Sequence, residues 1–229
     1  IGASAGVGTL TAATSGGDLV LWNHSGSTLT VNSVIANNSS ASTLTKSGTG
    51  LLVLAGANTF TGNTTVNEGT LRLSNNAALG APASSNRTTI RQAGVLDLAL
   101  ANMSGTAGIL DGSGRITSSA ASGTATLSIG AGNGTTGYFT GVIENGSAGG
   151  RLGLTKVGTG TQFITGLNTY TGPTRIEGGT LAVTTLANIG SHSGIGVGDA
   201  NDDDTNAASL VFNGGVLQYT GANATVFQA

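Results

Sequence analysis

Short runs in which apolar and polar residues alternate recur along the whole chain. They include residues 18–22, 50–54, 69–73, 94–98, 125–129, 179–183, 209–212 and 215–219. Leu71 and Leu73 alternate with polar or small neighbours, as do Leu96 and Leu98. A period of two places one row of side chains inside and the other outside a strand. The pattern predicts many short β-strands, and the nearest helical candidate, residues 75–80, is a single turn at most.

The spacing between these runs selects among β architectures. Leu52 and Leu71 are 19 residues apart, Leu71 and Leu96 are 25 apart, and Val183 and Phe212 are 29 apart. Coils of roughly 20–25 residues are typical of a parallel β-helix, in which each coil stacks its strands on those of the coil before it. At a rise of ~4.8 Å per coil, about ten coils would form a rod on the order of 50 Å long. We therefore predict an all-β parallel β-helix that runs through residues 1–229 as a single segment.

Composition agrees with this architecture and excludes several functions. The 229 residues include 40 glycines, 2 prolines and no cysteine, and only 8% are charged. The net charge of −2 gives no electrostatic basis for binding nucleic acid. Without cysteine there are no disulfides and no thiolate metal sites. No apolar run approaches the ~20 residues of a spanning helix. No signal peptide opens the chain, and Ile1 begins within the pattern, so we expect a piece of a longer protein.

A long internal repeat organises the chain. Residues 44–73 and 154–183 are identical at fifteen of thirty positions, at an offset of 110 residues. They share the pattern L-T-K-x-G-x-G, followed by G-x-N-T-[FY]-T-G-x-T and G-T-L. Such a repeat is typical of a fold built from stacked units rather than around one central core. The offset predicts a separation of about five coils.

The shared pattern resembles the passenger-associated transport repeat of bacterial autotransporters. That resemblance implies a right-handed parallel β-helix, exported through the outer membrane of a Gram-negative bacterium and displayed on its surface or released. It implies one partner, the translocating outer-membrane barrel of the same precursor. It also implies a structural role, as a stalk whose repeats promote translocation and folding within an adhesin or a virulence-associated protein.

Two alternatives stay open. The segment could itself be an adhesive module that binds host matrix, glycans or other bacteria, or it could be a carbohydrate-acting β-helix enzyme. A stalk predicts no exposed binding groove, an adhesin predicts one, and an enzyme predicts convergent titratable groups. The expectation here is a non-enzymatic segment without a cofactor. The unpaired edges of an isolated piece also make self-association possible.

Several residues are candidates for chemistry. The densest group of charges lies at residues 199–206, which we expect to form a loop inserted between coils. Asp199, Asp202 and Asp204 are weak candidates for calcium ligands, because their spacing matches neither an EF-hand nor the nonapeptide calcium repeats. Asp97 and Asp111 are the best isolated carboxylate pair. His24 and His192 have no neighbours in sequence that suggest a catalytic triad or a metal site.

Two residue pairs recur at equivalent positions of the repeats. Lys46 and Lys156 precede the glycines, whereas the lysine of a phosphate-binding loop follows them. We expect them to shield a strand end or to bridge to a neighbouring coil. Asn58 and Asn168 are expected to point inward and to bind the backbone at a turn. Doublets of the form Thr-x-Thr, such as 43/45 and 169/171, are unequally spaced and predict no flat ice-binding array.

Overall fold

The computed structural model describes residues 1–81, 86–131, 133, 136–199 and 209–222. In this part of the chain every regular element is a β-strand, so no helix is present that could cross a membrane. The strands are β1 (Thr9–Leu10), β2 (Asp18–Trp22), β3 (Leu29–Val31), β4 (Val34–Ile35), β5 (Thr43–Ser47), β6 (Leu51–Leu54), β7 (Thr64–Leu73), β8 (Arg87–Leu98), β9 (Ser104–Thr106), β10 (Ile109–Gly112), β11 (Arg115–Ser118), β12 (Thr124–Ile129), β13 (Thr136–Phe139), β14 (Val142–Ile143), β15 (Arg151–Lys156), β16 (Thr161–Ile164), β17 (Thr174–Ile176), β18 (Thr180–Val183), β19 (Leu210–Phe212) and β20 (Val216–Tyr219).

All pairings between these strands are parallel. Apart from the separate pair β1–β4, they fall into three ladders that form the faces of a parallel β-helix. Face A is the ladder β2, β5, β7, β8, β10, β13, β16, β18, β20, in which β7 and β8 contribute their N-terminal parts. Face B is the ladder β3, β6, β7, β8, β11, β14, with the C-terminal parts of β7 and β8. Face C contains β9, β12, β15, β17 and β19. The chain visits the faces in the order A, B, C, once per coil.

Face C continues toward the N-terminal end through segments that are not regular strands. Thr59 N donates to the carbonyl of Ile35 in β4, and Ala81 N donates to that of Phe60. Ser104 N, in β9, donates to Asn76 Oδ1. The predicted turn at residues 75–80 lies within this stretch and is confirmed as a turn, in which Ala78 N donates to the carbonyl of Asn75.

The strand registers confirm most of the spacings read from the sequence. Leu52 pairs with Leu71, and Leu71 pairs with Leu96. The 29-residue spacing from Val183 to Phe212 does not correspond to a pairing. Val183 lies opposite Tyr219 on face A, 36 residues away, whereas Phe212 lies on face C. This coil is longer because more residues separate β18 from β19 than separate the equivalent strands β16 and β17.

The core is a set of continuous apolar columns that run along the helix. One column on face B stacks Leu52, Leu71, Leu96, Ile116 and Ile143 in successive coils, and all five are fully buried. Each side chain fills the gap between the equivalent side chains of the coils above and below. Burying a side chain of this size contributes about 1.5–3 kcal/mol, and the alternating pattern supplies one such residue to every coil.

The two repeat copies occupy different faces of the helix. The strand that begins the first copy, β5, lies on face A, and the equivalent strand of the second copy, β15, lies on face C. From β5, four coils along face A lead to β13, and two further faces lead to β15. The 110-residue offset therefore spans four coils and two faces rather than the predicted five whole coils. The repeat is thus a local unit that begins on face A in one copy and on face C in the other.

Between β10 and β13 the ladder of face A is interrupted. Only Gly112 and Phe139 pair between these two strands. The interior position of β13 is Gly137, where an added Cβ would lie 2.5 Å from Gln162 Oε1. Gln162 reaches through this space from β16, accepts from Leu110 N at 3.1 Å and donates to Leu110 O at 2.7 Å. A buried side-chain amide thus replaces the peptide group that would otherwise pair with β10.

Candidate functional site: the repeat network

Both repeats place a buried lysine at the corner that follows their first strand. The side chain of Lys46 is fully buried, and its Nζ donates to the carbonyls of Ser47 (3.1 Å), Gly48 (2.5 Å) and Glu68 (3.1 Å). Because Glu68 belongs to the next coil, the ammonium group joins two coils. This confirms the bridging role that was predicted for the lysine.

Lys156 repeats this arrangement in the second copy. It is 1% exposed, and its Nζ donates to the carbonyls of Val157 (2.7 Å), Gly158 (3.3 Å) and Gly178 (3.2 Å). Gly178 again lies on the following coil. The three acceptors are equivalent, residue for residue, to those of Lys46 at an offset of 110.

The first glycine of the motif explains why the corner can hold an ammonium group. Gly48 has φ = 81° and Gly158 has φ = 68°, a left-handed conformation that side chains other than glycine rarely adopt. In this conformation the glycine carbonyl turns toward the lysine that lies two residues earlier. The pattern K-x-G is therefore one local unit in which the glycine conformation supplies an acceptor for the lysine.

Burial lowers the pKa of both lysines. Removal of water lowers the pKa of Lys156 from 10.5 to about 8. Burial also lowers the pKa of Lys46, but there the nearby negative charge of Glu68 opposes the shift. The second copy has Gly178 at the position of Glu68. The two copies therefore keep the same hydrogen bonds but differ in charge compensation.

A buried asparagine joins three successive coils in each repeat. Asn58 Oδ1 accepts from Ile35 N at 2.8 Å in the coil before, and its Nδ2 donates to Ala78 O at 2.6 Å in the coil after. Asn168 does the same with Ile143 N at 2.9 Å and Gly194 O at 3.0 Å. The predicted inward orientation and backbone bonding are confirmed.

A second pair of asparagines, the third residue pair of the repeats, was not found from the sequence. Asn37 Nδ2 donates to Thr61 Oγ1 at 3.0 Å, and its Oδ1 accepts from Thr61 N at 3.0 Å. Asn145 forms the same two bonds with Thr171, at 2.8 and 3.3 Å. These asparagines recur at an offset of 108 residues, so an alignment at 110 separates them. We call the lysines and asparagines of the three pairs the repeat network (Lys46, Asn58 and Asn37; Lys156, Asn168 and Asn145).

The proposed metal cluster is only partly within the described residues. Asp199 forms an ion pair with Arg151, and its backbone N donates to Ser209 Oγ at 3.4 Å. Asp202 and Asp204 lie outside the described residues, as does most of the loop 199–206. In the described ranges no group of three or more His, Asp or Glu side chains is arranged to hold a metal ion.

The isolated carboxylates do not converge. Asp97 lies on face B, where Arg72 Nε donates to it at 2.7 Å, whereas Asp111 lies on face A and pairs with Arg87. His24 is exposed and packs against the ring of Trp22 with centroids 5.3 Å apart, and His192 is also exposed. The outward column of Thr45, Thr65 and Thr89 on face A continues into Asp111, which ends the run of threonines.

A polar groove of about 440 Å³ follows face B across β7, β8, β11 and the residues after β14. Its charged side chains are Arg72, Asp97, Arg115 and Glu144. Arg115 pairs with Glu144 at 3.0 Å, and the turn at residues 146–148 forms one wall. Sequence reasoning did not find this groove, because its residues come from four coils and carry no local motif.

Comparison with known proteins identifies the family to which the chain belongs. The passenger-associated-transport-repeat family matches residues 44–73 and 154–183, the two stretches that contain the buried lysine and Asn58 or its equivalent. Over 180 residues, 78% of its length, the chain is 40% identical to the adhesin BmaC autotransporter of Brucella suis biovar 1 (strain 1330). The chain is a segment of an autotransporter passenger. Such a passenger is exported to the cell surface or the extracellular space.

The passenger segment spans 5% of the length of this curated relative. No solved structure matches it. The matched region therefore identifies the kind of protein to which the segment belongs, while the repeat network and the groove are features of the segment itself.

Proposed function

We propose that this segment is a β-helical stalk in an adhesin-like passenger, and that its repeats promote translocation and folding by locking each coil to the next. The observation that carries the proposal is the repeat network. In both copies buried side chains join a coil to its neighbours through main-chain groups, at equivalent positions. Such contacts form only when two coils are stacked, so they favour stepwise growth of the helix on coils that have already folded.

The network can make folding outside the membrane directional. A coil that emerges from the translocating barrel of the same precursor buries its apolar columns and its lysine or asparagine donors against the preceding coil. Withdrawing that coil would then require breaking buried hydrogen bonds, each of which leaves a main-chain group unpaired at a cost of about 1–3 kcal/mol. Folding thereby opposes backsliding without any nucleotide.

The role we propose is not enzymatic. The relative is named as an adhesin, and the two carboxylates that the sequence singled out lie on different faces, each in an ion pair. Direct adhesion by this segment is the second candidate, and the groove on face B favours it because a plain stalk does not need a polar groove.

Surface display of the full precursor tests the stalk proposal. We expect Asn58→Ala combined with Asn168→Ala to reduce the protease-resistant passenger at the cell surface several-fold, because each substitution leaves main-chain groups of two neighbouring coils unpaired. The measurement is surface immunoblotting after mild protease treatment. Arg91→Ala, an exposed change on the same helix, is the matched control.

Two results would count against the proposal. Unchanged display of the double variant would show that the network does not assist export. Equal loss of display in the Arg91→Ala control would show that the effect is not specific to the network.

A further inference from the structure

The groove on face B concentrates charge in a chain that has little of it. The whole sequence contains 18 charged residues apart from histidine, and four of them line this one groove. Two are arginines and two are carboxylates, so the groove has no net charge. It therefore offers no field that would attract a polyanion or a polycation.

The two ion pairs in the groove differ in how firmly they are held. The Asp97 carboxylate is 3% exposed and accepts from both Arg72 Nε and Ser119 N. The Arg115 side chain is 54% exposed and that of Glu144 is 28% exposed. An exposed pair of this kind contributes about 0–1 kcal/mol, so a ligand can replace its mutual bond at little cost. Arg115 and Glu144 are thus available as a donor and an acceptor.

Hydroxyl groups surround these charges. Thr70, Thr117, Ser119 and Ser147 line the groove, and within the described part of the chain their hydroxyls make no hydrogen bond to protein. A guanidinium donates along one edge and a carboxylate accepts with two oxygens, which suits the neighbouring hydroxyls of a sugar ring. The lining is polar, with Val95 and Ala148 as its apolar side chains, which does not suit an apolar ligand.

The floor of the groove argues against a peptide as the occupant. Strands β7, β8, β11 and β14 pair with one another in register, so their main-chain groups are used within the sheet. A peptide could not add to this surface as a further strand, which is the usual source of affinity for an extended peptide on a sheet. Side chains of successive coils instead lie ~4.8 Å apart along the helix axis. Such a row of polar groups suits a polymer whose hydroxyl-bearing units also repeat along its length.

We propose that the face B groove binds an uncharged glycan chain, with Arg115 and Glu144 contacting its hydroxyl groups. The chain lies along the helix axis and spans the coils from β7 to β14. This site goes beyond the stalk role and does not depend on it, because Arg115 and Glu144 are not members of the repeat network. Asn145 is the groove residue that also belongs to that network.

Calorimetric titration of the purified chain with neutral hexasaccharides of glucose, mannose, galactose and N-acetylglucosamine tests the proposal, with a heparin hexasaccharide as the charged comparison. We expect saturable binding of at least one neutral hexasaccharide, unaffected by 0.1–0.5 M salt because no net charge is neutralised. Arg115→Ala with Glu144→Ala should weaken it at least ten-fold. Removing both partners leaves no unpaired charge. Arg91→Ala should bind normally.

A second variant protects the test against misfolding of the first. Ser147→Leu adds bulk at the exposed wall of the groove and leaves the strands intact, so it should also weaken binding. Three results would overturn the proposal: no neutral hexasaccharide binds, binding is unchanged in both groove variants, or only heparin binds and does so in a salt-dependent way.

Discussion

A buried ammonium group at the same corner of both repeats is the most informative feature at the scale of single residues. A lysine without charge compensation is costly to bury, yet Lys156 is 1% exposed with three main-chain carbonyls as its acceptors. Methionine would fill a similar volume without that cost. The lysine therefore serves the alignment of two coils, because its donors are satisfied only when Gly178 of the next coil is in place.

The pKa of Lys156 leads to a prediction about pH. Its value is 10.5 in the unfolded chain and about 8 in the folded chain, so between these values the unfolded state binds more protons. Stability from this group is therefore gained as pH rises above 8. We expect the free energy of unfolding of the natural chain, relative to Lys156→Met, to increase by roughly 1–2 kcal/mol between pH 8 and pH 10. Urea unfolding at each pH measures it.

The comparison with Lys156→Met cancels the contributions to stability of other groups that titrate in this pH range. Lys46, whose pKa is lowered by burial, and Tyr170, whose pKa is raised by burial, are present in both proteins. The result could also contradict the prediction. If the difference in free energy of unfolding between the two proteins stayed constant or fell as pH rises, Lys156 would not lose its proton in the folded chain at these pH values.

At the scale of strands, the most unusual element is the β13 strand with its interior glycine. Gly137 and Gln162 act together: the first leaves the space, and the second fills it and pairs with Leu110 two coils away. The amide of Gln162 satisfies both main-chain groups of Leu110 that face the gap. A leucine at residue 162 would fit the apolar column but would leave these groups unpaired.

Substitution of Gln162 tests this role. We expect Gln162→Leu to lower the free energy of unfolding by about 1–3 kcal/mol and to accelerate hydrogen exchange of the Leu110 amide. Thr161→Val, an outward change on the same strand, should leave that exchange rate unchanged. Gly137→Ala should have an effect similar to that of Gln162→Leu, because the added Cβ would displace the amide. An unaltered Leu110 exchange rate in Gln162→Leu would contradict the pairing.

The sequence predicts the strands well and their long-range partners poorly. The period of two and the 19-residue spacing locate Leu71 opposite Leu52, because adjacent coils of normal length leave a direct trace in the spacing. Val183 and Phe212 were matched incorrectly, since the number of residues between β18 and β19 differs from that between the equivalent strands of other coils. The link from Gln162 to Leu110 could not be anticipated, because it depends on a gap that appears only after the coils are stacked.

The same limit applies to the candidate site. Lys46 and Asn58 were recognised as recurring residues because the two copies align at 110. Asn37 was missed because its equivalent, Asn145, lies at an offset of 108. The groove residues Arg115 and Glu144 come from different coils and are adjacent only through the register of face B.

For the whole molecule, the second repeat begins one face short of five whole coils after the first, and this shows that the chain has two kinds of periodicity. The repeat network needs only the coils immediately before and after it, so each copy is satisfied on whichever face it begins. The apolar columns, in contrast, need whole coils, because a strand moved to the wrong face has no matching column. Stability then depends on nearest-neighbour contacts between coils, and the length of an insertion or deletion matters less than its phase.

Two deletions test whether the position of a deletion within the coil repeat affects stability more than the number of residues removed. Thr88 pairs with Leu110 and Thr89 with Asp111, so removal of residues 89–110 takes out one whole coil and brings Asp111 to the place of Thr89. We expect this protein to unfold cooperatively, with native-like β-sheet circular dichroism. Removal of residues 89–98 takes out fewer residues, namely the last face A residues of β8 and its whole face B part. Every later strand then moves by one face and loses its column. We expect that shorter deletion to abolish cooperative unfolding. If it were instead as well tolerated as the full-coil deletion, the faces would be interchangeable, and the columns would not determine where a strand can lie.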